Sequence, residues 1–286
     1  MDDKPHTPFN FSSDQCPVLY HYTSVAAALA MIESQTFWLS EYTAMNDTSE
    51  FAFARELYLR LLPTVEGGLS LVPRVIALTA LEDVQRNMTM LIGSLTERRD
   101  DLNQWRLYAD NGGGCVVGID ASYLEHDAGV AIRTVLYDEE RVSRLLRASM
   151  TVLQEAYEED PLDFEVSYDY ARRAIVDLFT IKHPAFADER EVRVSRMLVV
   201  GAQGITDVGG NRTDGSETPP IPPFERTGAF GLTRSMSLPL SKPSGGSAIV
   251  SVGIGPAATE ADALEITQRL QASGVDAWRS TLPFRR

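Results

Sequence analysis

The sequence predicts an α+β protein whose mostly antiparallel sheet is flanked by helices. Short apolar runs bounded by polar residues recur at 18–22, 37–39, 88–93, 115–119 and 248–254, the length and patterning of strands. Between them lie stretches with apolar residues at helical spacing, such as Phe51, Ala54, Leu57 and Leu61. The C-terminal 40 residues read strand, helix, strand, with Gly255-Pro256 in the first turn.

Taken in order, residues 1–17 are polar and Pro-containing and are expected to form an arm ahead of a single domain over 18–286. The run 18–22 is a strand, and LYHYTS places His21 near its end. Thr23 or Ser24 can cap the following helix, whose stripe is Val25, Leu29 and Ile32. A single His at a strand end is most often a structural histidine, so His21 needs support from elsewhere. In EYTAMNDTSEF, Asp47 and Glu50 have the spacing of a capping box ahead of a helix closed by Pro63. Residues 74–85 read as a third helix.

The stretch SLTERRDDLNQWRLYADNGGGCVVGID, residues 94–120, is central. A strand ends in Ser94, Thr96 and Glu97, and a short helix follows over 102–109, with Asp101 and Gln104 spaced as a capping box. Asn111 and Gly112 to Gly114 are expected to stop that helix. Asp101, Trp105 and Tyr108 fall on one helical face, which either lines a pocket for a planar ligand or packs the helix on the sheet. Beyond it come a strand over 130–137 and helices over 139–158 and 164–180, split at Asp160-Pro161. Arg141, Arg144 and Arg147 form a stripe that reads as a solvated face. KHPAFADEREVRV then enters a strand in which Glu189 and Glu191, two apart, are expected on one side. Residues 201–247 shift to Gly, Pro, Ser and Thr, the one candidate flexible segment, with room for an edge strand over 230–240. A strand over 248–254, a helix over 257–273 and a strand over 275–280 complete the chain.

Composition narrows the function. The 286 residues are 44% hydrophobic and 23% charged, ordinary for a globular protein, with a formal net charge of −14. That acidity opposes non-specific adhesion to nucleic acid or anionic membrane. Cys16 and Cys115 make neither a disulfide framework nor a zinc spacing. No leader and no bilayer-length apolar run is present, so the expected compartment is the cytoplasm, with no membrane partner. Phosphate-cradling loops, HExxH and nucleophile elbows are absent; Gly112 to Gly114 follow a helix, the wrong order for a helix-N-terminal phosphate site.

LYHYTS, AMNDTSE, SLTE with DLNQWRLYA, the glycines before CVVGID, and ADEREVRV together resemble, over most of the chain, the bacterial domain-of-unknown-function family 2971 (DUF2971). More distantly, the strand-end His-x-Thr, the Ser-x-Thr strand end and the late Glu-x-Glu resemble the ADP-ribosyltransferase superfamily, nearest its DNA-modifying toxin branch. That resemblance implies a split, ADP-ribosyltransferase-like sheet, NAD as substrate and no metal. It also implies a bacterial toxin or phage-defence setting. On the positions that match, it implies His21 on the nicotinamide ribose, with Tyr22 and Thr23 beside it, and Ser94 and Thr96 lining the pocket. Tyr108 would stack on nicotinamide with Trp105 near, Glu191 would be the catalytic acid, and Glu189 would orient the second substrate. Arg98, Arg99 or Arg106 are forked donors of the kind that bind pyrophosphate, or else a solvated cluster beside Asp100 and Asp101. The expectation is therefore an NAD-dependent ADP-ribosyltransferase or NAD glycohydrolase, its macromolecular acceptor, protein or nucleic acid, unread. Its rivals are a non-enzymatic nucleotide-sensing or partner-binding module and a metal-dependent nuclease built on Asp47, Glu50, Glu189 and Glu191.

Overall fold

The computed structural model describes residues 11–44, 50–64, 69–202, 204–228, 231–271 and 275–284. The first half of the chain comprises β1 (Val18–Thr23), α1 (Val25–Ser34), β2 (Thr36–Glu41), α2 (Glu50–Leu61), α3 (Leu71–Asn87), β3 (Met88–Thr96), α4 (Leu102–Tyr108), β4 (Cys115–Asp120), α5 (Ala121–His126) and β5 (Ala131–Thr134). The second comprises α6 (Glu139–Glu159), α7 (Phe164–Asp177), β6 (Glu191–Gly201), β7 (Gly204–Asp207), β8 (Gly210–Asn211), β9 (Glu217–Thr218), β10 (Phe224–Gly228), β11 (Gly231–Pro239), β12 (Ile249–Ile254), α8 (Glu260–Gln271) and β13 (Asp276–Arg279). Part of the acidic excess caps helices: the carboxylates of Asp101, Asp120, Asp138 and Asp163 accept from first-turn N–H groups of α4, α5, α6 and α7. Ser24, the second of the two expected candidates, caps α1.

The fold is α+β, a large and mostly antiparallel sheet with helices on both faces. Its centre is β3. One edge of β3 pairs with β6 over its whole length, from Met88↔Val199 to Thr96↔Glu191. The other edge is divided: β2 pairs at Ser40↔Ile92 and Glu41↔Leu91, and β1 at Tyr20↔Thr96. Between those registers lie Gly93, Ser94 and Leu95, where the two half-sheets part. Outward from β2 run β11 and β10; outward from β1 run β4, β12 and β13, the last pair parallel. Gly93 is required at the parting, because a Cβ there would sit 2.4 Å from Phe37 Cε1 and 2.8 Å from Leu39 Cδ2.

The pleat divides the core. Leu39, Leu91, Leu95, Val192 and Val194 face α1, α5 and α8, while Met90 and Ile92 face α2, α3, α6 and α7. A smaller aromatic cluster seats α4 on β1 and β4 through Trp105, Tyr22 and Val116.

Several expectations change. Residues 201–247 are not a loose insert: β11 lies inside the sheet between β2 and β10, so the edge is β10. The buried pair Arg196–Asp207 (Nη2 to Oδ2, 2.9 Å) anchors the segment, with Arg196 Nη1 donating to Thr218 Oγ1 at 3.2 Å. Phe11, expected in a loose arm, is buried in the core. Helix α4 stops before its glycines, because Asp110 and Asn111 already adopt left-handed φ values of 47° and 51°. Glu189 is not on a strand: it ends a 3₁₀ turn, Pro184–Glu189, and Arg190 (φ 44°) turns the chain before β6 starts at Glu191. Asp47 lies outside the described residues, and the Glu50 carboxylate is bound elsewhere, as follows.

Candidate functional site

Where the half-sheets part, a cleft of about 1330 Å³ opens, bounded by β1 and α1 on one side and β2 on the other. Its floor is the Ser94 end of β3 and the start of β6. The pleat directs Ser94, Thr96, Glu191 and Arg193 to one face, since Ser94 pairs with Arg193 and Thr96 with Glu191. His21 belongs by register to the opposite face, yet the parting lets its ring reach the cleft. Its Nδ1 lies 3.0 Å from the Ser94 carbonyl oxygen. A carbonyl only accepts, so Nδ1 carries the proton and Nε2 is left as an acceptor. Burial lowers the His21 pKa, outweighing the carbonyl contact, and so favours the neutral ring.

Beneath the cleft lies a cluster of five charged side chains, buried by α2, β6 and the turn before it. Arg193 Nε donates to Glu191 Oε1 at 2.8 Å and its Nη2 to Glu191 Oε2 at 3.0 Å and to Glu50 Oε2. Lys182 Nζ donates to Glu189 Oε2 at 2.7 Å, and lies 2.9 Å from Glu50 Oε1 and 3.4 Å from Glu191 Oε2. Ser94 Oγ donates to Glu191 Oε1 at 2.6 Å, and Tyr108 Oη to Glu189 Oε1 at 2.6 Å. Three carboxylates against two cations leave a formal charge of −1. Burial opposes ionisation of Glu191, but the Arg193 guanidinium, then Lys182 and Ser94, outweigh it and hold its pKa at about 2. Burial likewise opposes the charge on Lys182, and the surrounding carboxylates, Glu191 foremost, raise its pKa instead. Lys182 is therefore a fixed cation and no nucleophile.

The structure gathers His21, Tyr22, Thr23, Ser94, Thr96, Tyr108, Glu189 and Glu191 along this cleft. Tyr22 and Thr96 act there mainly as braces. Tyr22 Oη donates to the Arg98 carbonyl and accepts from the Asp101 N–H, and Thr96 Oγ1 donates to the Glu189 carbonyl. Two expected residues are elsewhere. Trp105 is fully buried behind α4 and donates its indole N–H to Asp100 Oδ1 at 2.6 Å, so it packs the helix. Arg106 is exposed and lies over the Phe284 ring, because α4 turns it away from the cleft. Arg99 lies over Trp278 and Arg98 pairs with Asp101, so neither lines the cleft.

Sequence reasoning missed Lys182, Arg193 and Gln104 as parts of this site, and grouped Glu50 with Glu189 and Glu191 only in the rival nuclease reading. Gln104, expected to reach back to its own helix, instead donates Nε2 to the Glu189 carbonyl at 3.2 Å. The available signal for Lys182 and Arg193 was a basic residue on each side of Glu-x-Glu inside an apolar segment. Among the described residues no group of His, Cys, Asp and Glu could hold a metal ion; Glu50, Glu189 and Glu191 are engaged by cations of the chain itself. No helix of the described residues is long and apolar enough to cross a membrane.

The segment contributing α4, Lys182 and the Glu-x-Glu is also where the chain matches a known family. Residues 104–194 match the model of DUF2971, a protein of unknown function. The DUF2971 region thus holds Gln104, Tyr108, Lys182, Glu189, Glu191 and Arg193, while His21, Ser94 and Glu50 come from outside it. Neither a curated protein nor a solved structure matches.

Proposed function

We propose that the cleft binds NAD and cleaves the bond between its nicotinamide and ribose, handing the ADP-ribosyl group to water or to an acceptor. The observation that carries this reading is the charged cluster under the cleft: net negative, held ionised, and faced by a neutral His21. Scission of that bond leaves the electron pair on the nicotinamide nitrogen and positive charge on the ribose carbon. A fixed negative charge beside that carbon stabilises the transition state more than the ground state. His21 Nε2 is free to accept from a ribose hydroxyl and so fix the sugar. Glu189 is the carboxylate nearer the opening, held through single contacts by Tyr108 and Lys182, and takes the proton of the attacking hydroxyl or water. A toxin or phage-defence effector is the setting this chemistry suits.

A second reading has its own support. Glu191 is engaged by Arg193, Lys182 and Ser94 together, an arrangement equally suited to holding a nucleotide without turnover. Calorimetric NAD binding beside single-turnover release of nicotinamide separates the two. Binding with release that is lost in Glu191→Gln supports cleavage. Binding without release supports a sensing module, and no binding of NAD removes cleavage and leaves the second reading only with another nucleotide.

A further inference from the structure

At the β2 end of the cleft stands a pair that the chemistry above leaves unused. Trp38 lies within β2, flanked by β11, and is 50% exposed. A large aromatic left open inside a sheet, rather than at its rim, is a surface kept for contact. Its ring is fixed edge-on by Phe224, at 5.3 Å between centroids. Over it lies the guanidinium of Arg226, 5.3 Å from the ring centroid. Arg226 is held by two hydroxyls, its Nε and Nη2 donating at 3.0 Å to Ser235 Oγ and Ser40 Oγ. Among the described residues no carboxylate pairs with it, in a chain with 40 acidic residues. Elsewhere the cleft is lined by Ala26, Ala27, Ala30, Met31 and Ser34 of α1.

From these contacts we infer that Trp38 and Arg226 form a subsite for a nucleobase with its phosphate, the base stacking on the indole and the phosphate meeting the guanidinium fork. Ser40 pairs with Ile92, four residues along β3 from Thr96, the partner of Glu191. At strand dimensions four residues span about 13 Å along β3, within the reach of an extended dinucleotide. The two ends of the site thus carry opposite charge, negative where a cationic ring would sit and positive where phosphate would sit. The net charge of −14 favours a small nucleotide over a polyanionic strand as the source of that base. The occupant is the nucleoside diphosphate half of the dinucleotide; this assignment rests on the NAD reading.

The test uses the full chain and three probes, ADP, NAD and nicotinamide mononucleotide, with a short single-stranded oligonucleotide beside them. Trp105 is fully buried and Trp278 lies outside the cleft lining, so quenching of Trp38 emission reads a ligand on the shelf, and calorimetry reads binding in every variant, Trp38→Ala included. ADP and NAD are expected to quench, and both Trp38→Ala and Arg226→Gln to weaken their binding by about tenfold or more, with nicotinamide mononucleotide unaffected. Unchanged melting temperature in Arg226→Gln guards against a folding artefact. NAD binding that survives both substitutions overturns the subsite and leaves the cleft reading standing. Trp38-dependent binding of ADP without any binding of NAD supports the shelf and removes the cleft reading. Tighter Trp38-dependent binding of the oligonucleotide than of ADP overturns the dinucleotide as occupant.

Discussion

Ser94 and Glu191 stand on neighbouring strands, Oγ to Oε1 at 2.6 Å, and the carbonyl of the same serine accepts from His21. One residue therefore links the two groups that the proposed chemistry needs, at the point where the half-sheets separate. Ser94→Ala should cost about 1.5–3 kcal/mol, the range for hydrogen bonds to charged groups. Urea unfolding reads that cost. Nicotinamide release should fall alongside it, since Glu191 loses a positioning contact.

The cluster predicts an asymmetry between its members. Glu191→Gln leaves two carboxylates facing two cations, a balanced set. Arg193→Met leaves three carboxylates facing one lysine. Removing the arginine should therefore destabilise by about 3–5 kcal/mol, and the glutamine substitution by less. Release of nicotinamide in Glu191→Gln should drop about a hundred- to a thousand-fold, as when a preorganised electrostatic group is lost. Equal unfolding midpoints for the two variants would refute the charge count.

Acid should expose the same carboxylate. Its folded pKa of about 2 lies below the unfolded value, so its stabilisation is complete above the unfolded value and is lost as pH falls through the folded one. Between about pH 4.3 and 2 the unfolded state binds one more proton here, a slope of about 1.4 kcal/mol per pH unit. Glu191→Gln should lack that component in acid-unfolding curves.

Asp177 should behave in the opposite sense. Burial raises its pKa to about 6, against the pull of Arg133, whose Nε lies 3.7 Å away. Its folded value exceeds the unfolded one, so stability declines as pH rises from about 4 to 6. Asp177→Asn should flatten that decline and raise the melting temperature at pH 7.5.

Gly93→Ala puts a methyl into Phe37 and Leu39 and should cost about 1–3 kcal/mol through overpacking. Phe37 also touches His21 edge-on at 4.9 Å, so the substitution should disturb the imidazole as well. Trimming Phe37 to Leu in the same chain should recover part of the loss; no recovery would place the strain in the backbone.

Much of the fold was legible because it rests on local pattern. The apolar run of β12, the stripe of α2 and the acidic caps of α6 and α7 follow from nearest neighbours in sequence. The site was legible only in its strand-end pieces. Lys182 and Glu50 are 132 positions apart, and nothing local says that their charges meet. The Glu-x-Glu spacing suggested a strand face, but Arg190 breaks the strand, and it is Lys182 that draws the two carboxylates together. Residues 201–247 misled because Gly, Pro, Ser and Thr serve turns and polar strand faces alike. Ser235 and Ser237 of β11 are of the second kind.

The loop between β3 and α4 carries Asp100, whose Oδ1 accepts from Trp105 and from Ser280 of the C-terminal strand region. Ribosomal synthesis runs from the N-terminus, so this loop emerges about 180 positions before its last hydrogen-bond donor. β3 itself waits about a hundred positions for β6. Closing such distant contacts slows folding and leaves partly paired strands open to misassembly. The cleft is thus among the last features to be completed in a newly made chain. A nascent molecule halted before Ser280 carries every charged group of the cluster, while the loop that precedes Tyr108 is held by Tyr22 and Trp105 and still lacks its Ser280 contact. Full binding competence is then expected as a late, separate kinetic phase after the bulk of secondary structure has formed.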